Sequence, residues 1–152
     1  MKKNKKVMIT GITGQDGVFL SKELVENDNY EIIGLSRKNN LNSFNKKLKT
    51  LKFDLNKFQN IKIINIDLTE KSEVKKLIKD NKFDFVYNLS GPSSVYDSIE
   101  NPVNTSLEMT TNFLNLINAL ILNNNYSNFF QPSSSEMFNQ DTSSRLDEES
   151  AF

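Results

Sequence analysis

The sequence predicts an α/β fold in which helices cover both faces of a doubly wound, parallel β-sheet. Short apolar runs rich in Val, Ile and Phe alternate along the chain with segments whose apolar residues recur at helical spacing. Connections between parallel strands are right-handed crossovers, so this alternation places helices on both faces of one sheet. At 152 residues the chain has the length of one domain with its own core, and we expect residues 1–152 to form it.

Five short runs are predicted to be strands because they are apolar and rich in β-branched or aromatic residues. The first run ends at a glycine, and its length suits a buried parallel strand. Pro132 fits the fifth run only near its end or at a sheet edge, since proline cannot donate a hydrogen bond to a neighbouring strand. The runs are residues 6–10, 30–36, 61–66, 83–90 and 127–133.

Three segments are predicted to be helices because their apolar residues recur every three or four positions. Residues 37–60 are polar and rich in lysine and asparagine, and they are predicted to be a long loop with one helical turn at most. The predicted helices are residues 15–27, with Val18, Leu20, Leu24 and Val25 inward; residues 71–80, with Val74, Leu77 and Ile78 inward; and residues 103–122, with Leu107, Phe113, Leu114, Leu116, Ile117 and Leu120 inward.

The composition argues against several classes of protein. The 19 basic and 19 acidic residues balance, so no excess charge favours a nucleic acid or an anionic membrane. No apolar run approaches the roughly 20 residues that span a bilayer, and no secretory signal is visible. Cysteine and histidine are absent, which removes thiolate metal sites and leaves acid–base chemistry to carboxylates, Tyr or Lys. We therefore expect a soluble, cytoplasmic domain with no metal and with neither nucleic acid nor membrane as partner.

Three glycines, Gly11, Gly14 and Gly17, follow the first predicted strand and open the first predicted helix. A helix N-terminus offers unpaired N–H groups and the positive end of a dipole, which together favour a phosphate. In such a loop the first glycine permits a tight turn, the second lets a pyrophosphate approach, and the third packs the helix against the strand. The motif in this context predicts dinucleotide binding; the alternative is a plain strand–helix turn.

The end of the second predicted strand indicates which dinucleotide is bound. An acidic residue there holds the ribose 2′-hydroxyl of NAD, whereas an arginine accommodates the 2′-phosphate of NADP. This chain has Ser36, Arg37 and Lys38 at that point, and no acidic residue. The sequence therefore favours NADP, the alternative being that Arg37 and Lys38 are only solvated loop charges.

Three stretches carry a resemblance to a known family: "TGITGQDG" at residues 10–17, "NLSGPSSV" at 88–95 and "SSSEMF" at 133–138. Together they resemble the extended short-chain dehydrogenase/reductases, and within them most closely the GDP-mannose 4,6-dehydratases. The resemblance runs from about residue 6 to the last residue, and the "GQDG" form of the glycine loop is fairly specific to that branch. It implies a Rossmann-type, NADP-binding domain and GDP-mannose as the substrate.

The resemblance also implies which residues contact the cofactor. The glycine loop would line the pyrophosphate, and Arg37 would meet the 2′-phosphate. Residues after the third strand would lie on the adenine side, and those after the fourth beneath the nicotinamide ribose. In the latter stretch the family's usual "AQSHV" is "GPSSV" here, which retains the serine but neither the Gln nor the His. The implied cofactor-binding residues are Gly11, Ile12, Thr13, Gly14, Gln15, Asp16, Gly17, Arg37, Asp67, Leu68, Leu89, Ser90, Gly91 and Ser93.

Two further residues, Ser134 and Glu136, match catalytic positions of the dehydratases. By that resemblance the Ser134 hydroxyl hydrogen-bonds the 4-oxygen of the sugar, and Glu136 is the acid–base carboxylate. Oxidation at carbon 4 acidifies the proton on carbon 5, and a nearby carboxylate can remove it and help expel the carbon 6 hydroxyl as water. The family's following Tyr-Gly is replaced by Phe138 and Asn139.

Members of the family carry a Tyr-x-x-x-Lys pair on a following helix, in which the Tyr takes the proton of the 4-hydroxyl. The chain stops at "LDEESAF", immediately before the corresponding position, and Tyr126 lies too early to fill that role. We therefore expect a C-terminally truncated enzyme that is inactive by itself, with a homo-oligomeric full-length form. Two alternatives stay open: a fragment of a nucleotide-sugar epimerase or reductase, and a non-catalytic NADP-binding module.

Overall fold

A computed structural model describes residues 4–27, 29–37, 41–91, 95–133, 147 and 149–150. These residues form a five-stranded sheet in the order β3-β2-β1-β4-β5, in which every neighbouring pair is parallel. The strands are β1 (Lys5–Thr10), β2 (Tyr30–Ser36), β3 (Lys62–Asn65), β4 (Phe85–Asn88) and β5 (Asn128–Phe130). The predicted doubly wound parallel sheet is thereby confirmed.

Helices connect these strands. The α-helices are α1 (Gln15–Val25), α2 (Leu41–Thr50), α3 (Lys71–Asp80), α4 (Val95–Glu100) and α5 (Pro102–Leu122), and a short 3₁₀ helix covers Leu55–Phe58. No helix in the described ranges is long and apolar enough to cross a membrane.

The order of the strands creates a crevice beside β1. From β1 the chain steps outward to β2 and β3, then returns to the other side of β1 to form β4 and β5. The loops that leave β1 and β4 therefore diverge to opposite sides of the sheet. In open α/β sheets, ligands bind at the carboxyl ends of the strands at such a reversal.

Each face of the sheet has its own apolar core because successive side chains of a strand point to opposite faces. On β1, Val7 and Ile9 belong to one core and Met8 to the other, and all three are fully buried. The core around Met8 includes the predicted inward residues of α3, Val74, Leu77 and Ile78, and also Leu116 and Leu120 of α5. The core around Val7 and Ile9 includes Ile12, Val18, Phe44, Leu48 and Phe58.

The prediction of a long loop at residues 37–60 was wrong, since α2 and the 3₁₀ helix lie there. Phe44 and Leu48, one helical turn apart, are fully buried against the sheet. Phe58 packs edge-on against Phe44 and stacks on Phe53. Tertiary packing of these few apolar side chains stabilises the helix in a segment whose lysines and asparagines gave little helical pattern.

The predicted apolar face of α5 was correct only for part of its second half. Leu116 and Leu120 are buried, whereas Leu107 and Leu114 are 61% and 56% exposed. The buried residues of α5 begin at Asn112, so the N-terminal half of this helix does not lie on the sheet. The short helix α4, which precedes α5, was not predicted.

Gly34, in the middle of β2, makes room for the loop that follows β1. A Cβ atom at this position would lie 2.3 Å from Cδ1 of Ile12, and Ile12 is fully buried. The N–H of Ile12 also donates a hydrogen bond to the carbonyl of Leu35 at 3.4 Å. The absence of a side chain at Gly34 thus makes room for Ile12, and the position of Ile12 in turn holds the loop after β1.

We expect Gly34→Val to lower the free energy of unfolding by about 1–3 kcal/mol, because Ile12 would have to leave its site. Chemical denaturation measures this change. Gly91→Ala is the matched control: a Cβ there would meet only Cε of Met109, at 4.0 Å, and a change within about 0.5 kcal/mol is expected. Equal stability of Gly34→Val and the unsubstituted protein would show that Ile12 is not held in this way.

Candidate cofactor-binding site

A cleft of about 780 Å³ lies at the carboxyl ends of β1, β2, β3 and β4, a size typical of small-molecule sites. It is lined by twelve of the fourteen residues that the sequence implicated: Gly11, Thr13, Gly14, Gln15, Asp16, Gly17, Arg37, Asp67, Leu68, Leu89, Ser90 and Gly91. Thr10, Leu35, Ser36 and Ile66 complete the lining.

Gly11 shapes the turn after β1. Its φ is +65°, in the left-handed region that side chains disfavour, and a Cβ would lie 2.7 Å from the carbonyl oxygen of Leu89. The N–H of Gly14 donates to the carbonyl of Gly11 at 2.8 Å and closes the turn. The loops after β1 and β4 therefore pass each other with only backbone between them.

Gly14 and Gly17 have different surroundings. A Cβ at Gly14 would meet only the carbonyl oxygen of Gly11, at 3.1 Å, whereas one at Gly17 would lie 2.6 Å from both Gly11 O and Ile12 Cα. Gly14 precedes α1 and offers no side chain to cap it, so the first N–H groups of the helix are available to a ligand. Gly14 leaves room above the loop, and Gly17 lets α1 pack closely beneath it.

The side chain of Ile12 belongs to the core and does not line the cleft; the implied contact of this residue with the pyrophosphate stays a prediction. The Ile12 side chain is fully buried over Gly34. Ile12 therefore anchors the loop to the core.

Lys47 of α2 reaches the glycine loop from a segment that was predicted to be a loop. Its Nζ donates to the carbonyl of Thr13 at 2.5 Å, and Thr13 lines the cleft. A positive charge thus lies beside the loop where a pyrophosphate would approach. The local signal for this placement was the helical spacing of Leu41, Phe44, Leu48 and Leu51, which sets the register of α2.

Arg37 lies at the rim of the cleft, just after β2, and its side chain is 55% exposed. Its Nη1 is 2.5 Å from Oε1 of Glu108 on α5. The sequence showed no acidic residue beside Arg37, but the fold supplies this one from 71 residues further along the chain. No local pattern indicates such a pair.

A second carboxylate, that of Asp67 after β3, also faces this rim. It accepts hydrogen bonds from the N–H and the hydroxyl of Thr69, at 2.9 and 2.8 Å. These bonds, and to a smaller extent the charge of Arg37, lower the pKa of Asp67. The carboxylate is therefore charged at neutral pH. Separately, Asn115 of α5 holds the loop after β3 by donating hydrogen bonds to the carbonyls of Leu68 and Thr69.

Hydrogen bonds between side chains join the ends of β1, β4 and β5. The hydroxyl of Thr10 donates to Oδ1 of Asn88 at 2.7 Å and accepts from the N–H of Ser90 at 3.0 Å. Nδ2 of Asn88 donates to Oε1 of Gln131 at 2.6 Å. The network holds the loop after β4 and the start of the segment that leads to Ser134.

Three of the residues implicated by the sequence, Ser93, Ser134 and Glu136, lie outside the described residues. Their positions relative to the cleft therefore stay predictions.

Solved structures of nucleotide-sugar enzymes share the fold. The chain is 17% identical to UDP-glucose 4-epimerase from Bifidobacterium longum in complex with NAD⁺ and UDP, with a TM-score of 0.79 over 97% of the chain and 42% of the enzyme. It is 22% identical to UDP-N-acetylglucosamine 4-epimerase from Methanobrevibacter ruminantium, with a TM-score of 0.73 over 99% of the chain and 44% of the enzyme. The predicted Rossmann-type fold is confirmed.

Sequence comparison identifies the family. The chain is 34% identical to GDP-mannose 4,6-dehydratase from Yersinia enterocolitica, over 88% of the chain and 36% of the relative. It is 34% identical to GDP-mannose 4,6 dehydratase 1 from Arabidopsis thaliana, over 91% of the chain and 39% of the relative. The chain thus spans somewhat more than a third of the length of these relatives. Because the GDP-mannose 4,6 dehydratase family pattern matches residues 8–152, the chain belongs to that family.

Proposed function

We propose that this chain is the cofactor-binding part of a dehydratase that converts GDP-mannose to GDP-4-keto-6-deoxymannose, with NADP as an internally recycled hydride carrier. The observation that carries the proposal is the cleft at the strand reversal, built from the glycine loop in a chain of this family. The relatives from Yersinia and Arabidopsis bear the name of this activity.

The residues around the cleft fit a dinucleotide. Gly14 has no side chain to block the approach to the loop, and the N-terminus of α1 presents N–H groups to a pyrophosphate placed there. Lys47 adds a positive charge beside Thr13. Leu89, Ser90 and Gly91 form the opposite wall, on the nicotinamide side of the proposed cofactor.

Arg37 is the residue that we propose for the 2′-phosphate of NADP. It follows β2 at the rim of the cleft, and its guanidinium is half exposed. A guanidinium can form two parallel charged hydrogen bonds with a phosphate, which neutral side chains cannot match.

The chemistry is proposed to take place on the segment after β5. NADP⁺, when bound, would supply a hydride acceptor for carbon 4 of the sugar and return the hydride to carbon 6. The proton of the 4-hydroxyl would pass to the tyrosine of the family's Tyr-x-x-x-Lys pair, and a proton would return to carbon 5 when carbon 6 is reduced. The Ser134 hydroxyl would hydrogen-bond the 4-oxygen, and the Glu136 carboxylate would remove the carbon 5 proton and protonate the departing 6-hydroxyl. The link between Asn88 and Gln131 supports this assignment, because it fixes the chain three residues before Ser134.

We expect Gly14→Val to weaken NADP binding at least about tenfold, because a branched side chain would fill the space above the loop. It should lower stability less than Gly17→Val, since its Cβ meets one backbone atom, the Gly11 carbonyl oxygen at 3.1 Å. Gly14 has ordinary φ and ψ angles, −69° and 174°. Gly17→Val is the matched control: its side chain meets the loop backbone, so we expect it to lower the melting temperature. Titration calorimetry and thermal unfolding separate the two effects. NADP binding by Gly14→Val at nearly unchanged affinity would rule out the loop as the phosphate site.

We expect Arg37→Ala to weaken NADP binding about tenfold or more and NAD binding less than about twofold, because only NADP carries the 2′-phosphate. Calorimetric titrations with both dinucleotides measure the difference. Lys57→Ala is the control for net charge, since Lys57 lies at the opposite end of the sheet from the cleft. Equal losses of affinity for NADP and NAD in Arg37→Ala would contradict this role.

The catalytic assignment is tested in the protein expressed from its intact gene. We expect Glu136→Gln to lower the rate of GDP-mannose dehydration at least about a hundredfold with little change in GDP-mannose affinity, because the carboxylate acts mainly in the transition state. Mass spectrometry of the product detects the loss of water. Glu149→Gln, which alters an exposed carboxylate nearby in sequence, should retain activity. Full dehydration activity of Glu136→Gln would show that another group removes the carbon 5 proton. A product of unchanged mass from the unsubstituted protein would favour the epimerase alternative.

A further inference from the structure

The ion pair between Arg37 and Glu108 connects the rim of the cleft to helix α5. Arg37 follows β2, whereas Glu108 lies in the exposed N-terminal half of α5, and the two charged groups are 2.5 Å apart. Glu108 is the less exposed partner, at 32% against 55%. The guanidinium is therefore already bound to a carboxylate at the place where a 2′-phosphate would need it.

The surroundings of Arg37 add a second negative charge. Asp67 lines the same cleft, and it is close enough for the charge of Arg37 to favour its ionised form. Among the residues that the structure describes here, Arg37 thus contributes one positive charge, and Glu108 and Asp67 contribute two negative charges. A phosphate with a charge of about −1.5 to −2 that approaches this rim meets repulsion as well as attraction.

Asp67 and Glu108 differ in how firmly they are held. Asp67 is fixed by its two hydrogen bonds from Thr69, so its carboxylate keeps its place when a ligand binds. The contact that the structure gives to the Glu108 carboxylate is Nη1 of Arg37. Glu108 is therefore the group whose interaction with Arg37 a 2′-phosphate would have to replace.

We propose that Glu108 is a specificity-determining residue: its carboxylate competes with the 2′-phosphate for Arg37 and so lowers the affinity for NADP relative to NAD. The inference rests on the proposed role of Arg37 as the 2′-phosphate ligand. NAD has no 2′-phosphate and leaves the ion pair in place, so its affinity does not depend on breaking it. The ratio of the two affinities is consequently set by two residues on different elements of the fold.

The test compares Glu108→Gln with the unsubstituted protein by calorimetric titration with NADP and with NAD. Glutamine keeps the size of the side chain and one acceptor oxygen but removes the charge. We expect NADP to bind about fivefold more tightly and NAD to bind within about twofold of its original affinity, the scale of a partly exposed ion pair. Adenosine 2′,5′-bisphosphate and AMP, which carry only the adenosine end, should show the same contrast.

Two further measurements separate competition from a structural effect. The gain in NADP affinity should shrink at high salt, because screening weakens exposed ion pairs; a packing change would not respond in this way. Glu31→Gln is the matched control, since Glu31 forms a 3.0 Å ion pair with Lys6, is 54% exposed and lies at the other end of β2. It should leave both affinities unchanged.

Arg37→Ala distinguishes failure of the inference from failure of the proposed function. If Arg37→Ala leaves the ratio of NADP to NAD affinity unchanged, the assignment of Arg37 is wrong. If Arg37→Ala lowers the ratio and Glu108→Gln does not raise it, the inference about Glu108 alone is overturned. Weaker NADP binding by Glu108→Gln also overturns it, because Glu108 would then orient Arg37 rather than compete for it. In the Arg37→Ala background, Glu108→Gln should no longer change the ratio.

Discussion

The close passage of Gly11 over the carbonyl of Leu89 is the constraint on which the rest of the site depends. A Cβ at Gly11 would lie 2.7 Å from that oxygen, and the backbone of Gly11 is left-handed. The contact joins the loops of two strands that lead to opposite faces of the sheet. It also fixes the Gly11 carbonyl, which accepts the N–H of Gly14 and lies against Gly17. The start of α1, and hence the direction of its N-terminus, follows from this one crossing.

The side-chain network at the strand ends extends the same constraint across the sheet. Thr10 and Asn88 are almost completely buried, so each depends on its hydrogen bonds within the protein. Asn88 contacts Thr10 on β1, Ser90 in its own loop and Gln131 after β5. A buried network in which each member satisfies another resists displacement of any strand end. The cleft and the start of the proposed catalytic segment are thereby held in one frame.

The features predictable from the sequence were those with a local signal. The spacing of the three glycines between a strand and a helix predicted the glycine loop, and the short apolar runs predicted the strands of the sheet. Helix α2 was missed although Leu41, Phe44, Leu48 and Leu51 recur at helical spacing, because lysines and asparagines dominate the segment. The burial of Phe44 and Leu48 against the sheet is a tertiary effect. Glu108 lies 71 residues from Arg37, and nothing near either residue indicates the pair. The carboxylate beside the end of β2 thus comes from Glu108 on helix α5.

The two ends of the cleft differ in the charges that surround them. At the glycine loop, Lys47 and the N-terminus of α1 both favour a negative group. At the end of the cleft beside β2 and β3, Arg37 forms an ion pair with Glu108 and lies near Asp67. A pyrophosphate is common to NAD and NADP, so attraction at the glycine loop retains either dinucleotide. A cofactor that is restored within each catalytic cycle, as proposed here, does not need to leave between turnovers. Competition at the 2′-phosphate would then govern which dinucleotide the protein acquires, and it would have little influence on the rate of the reaction that follows.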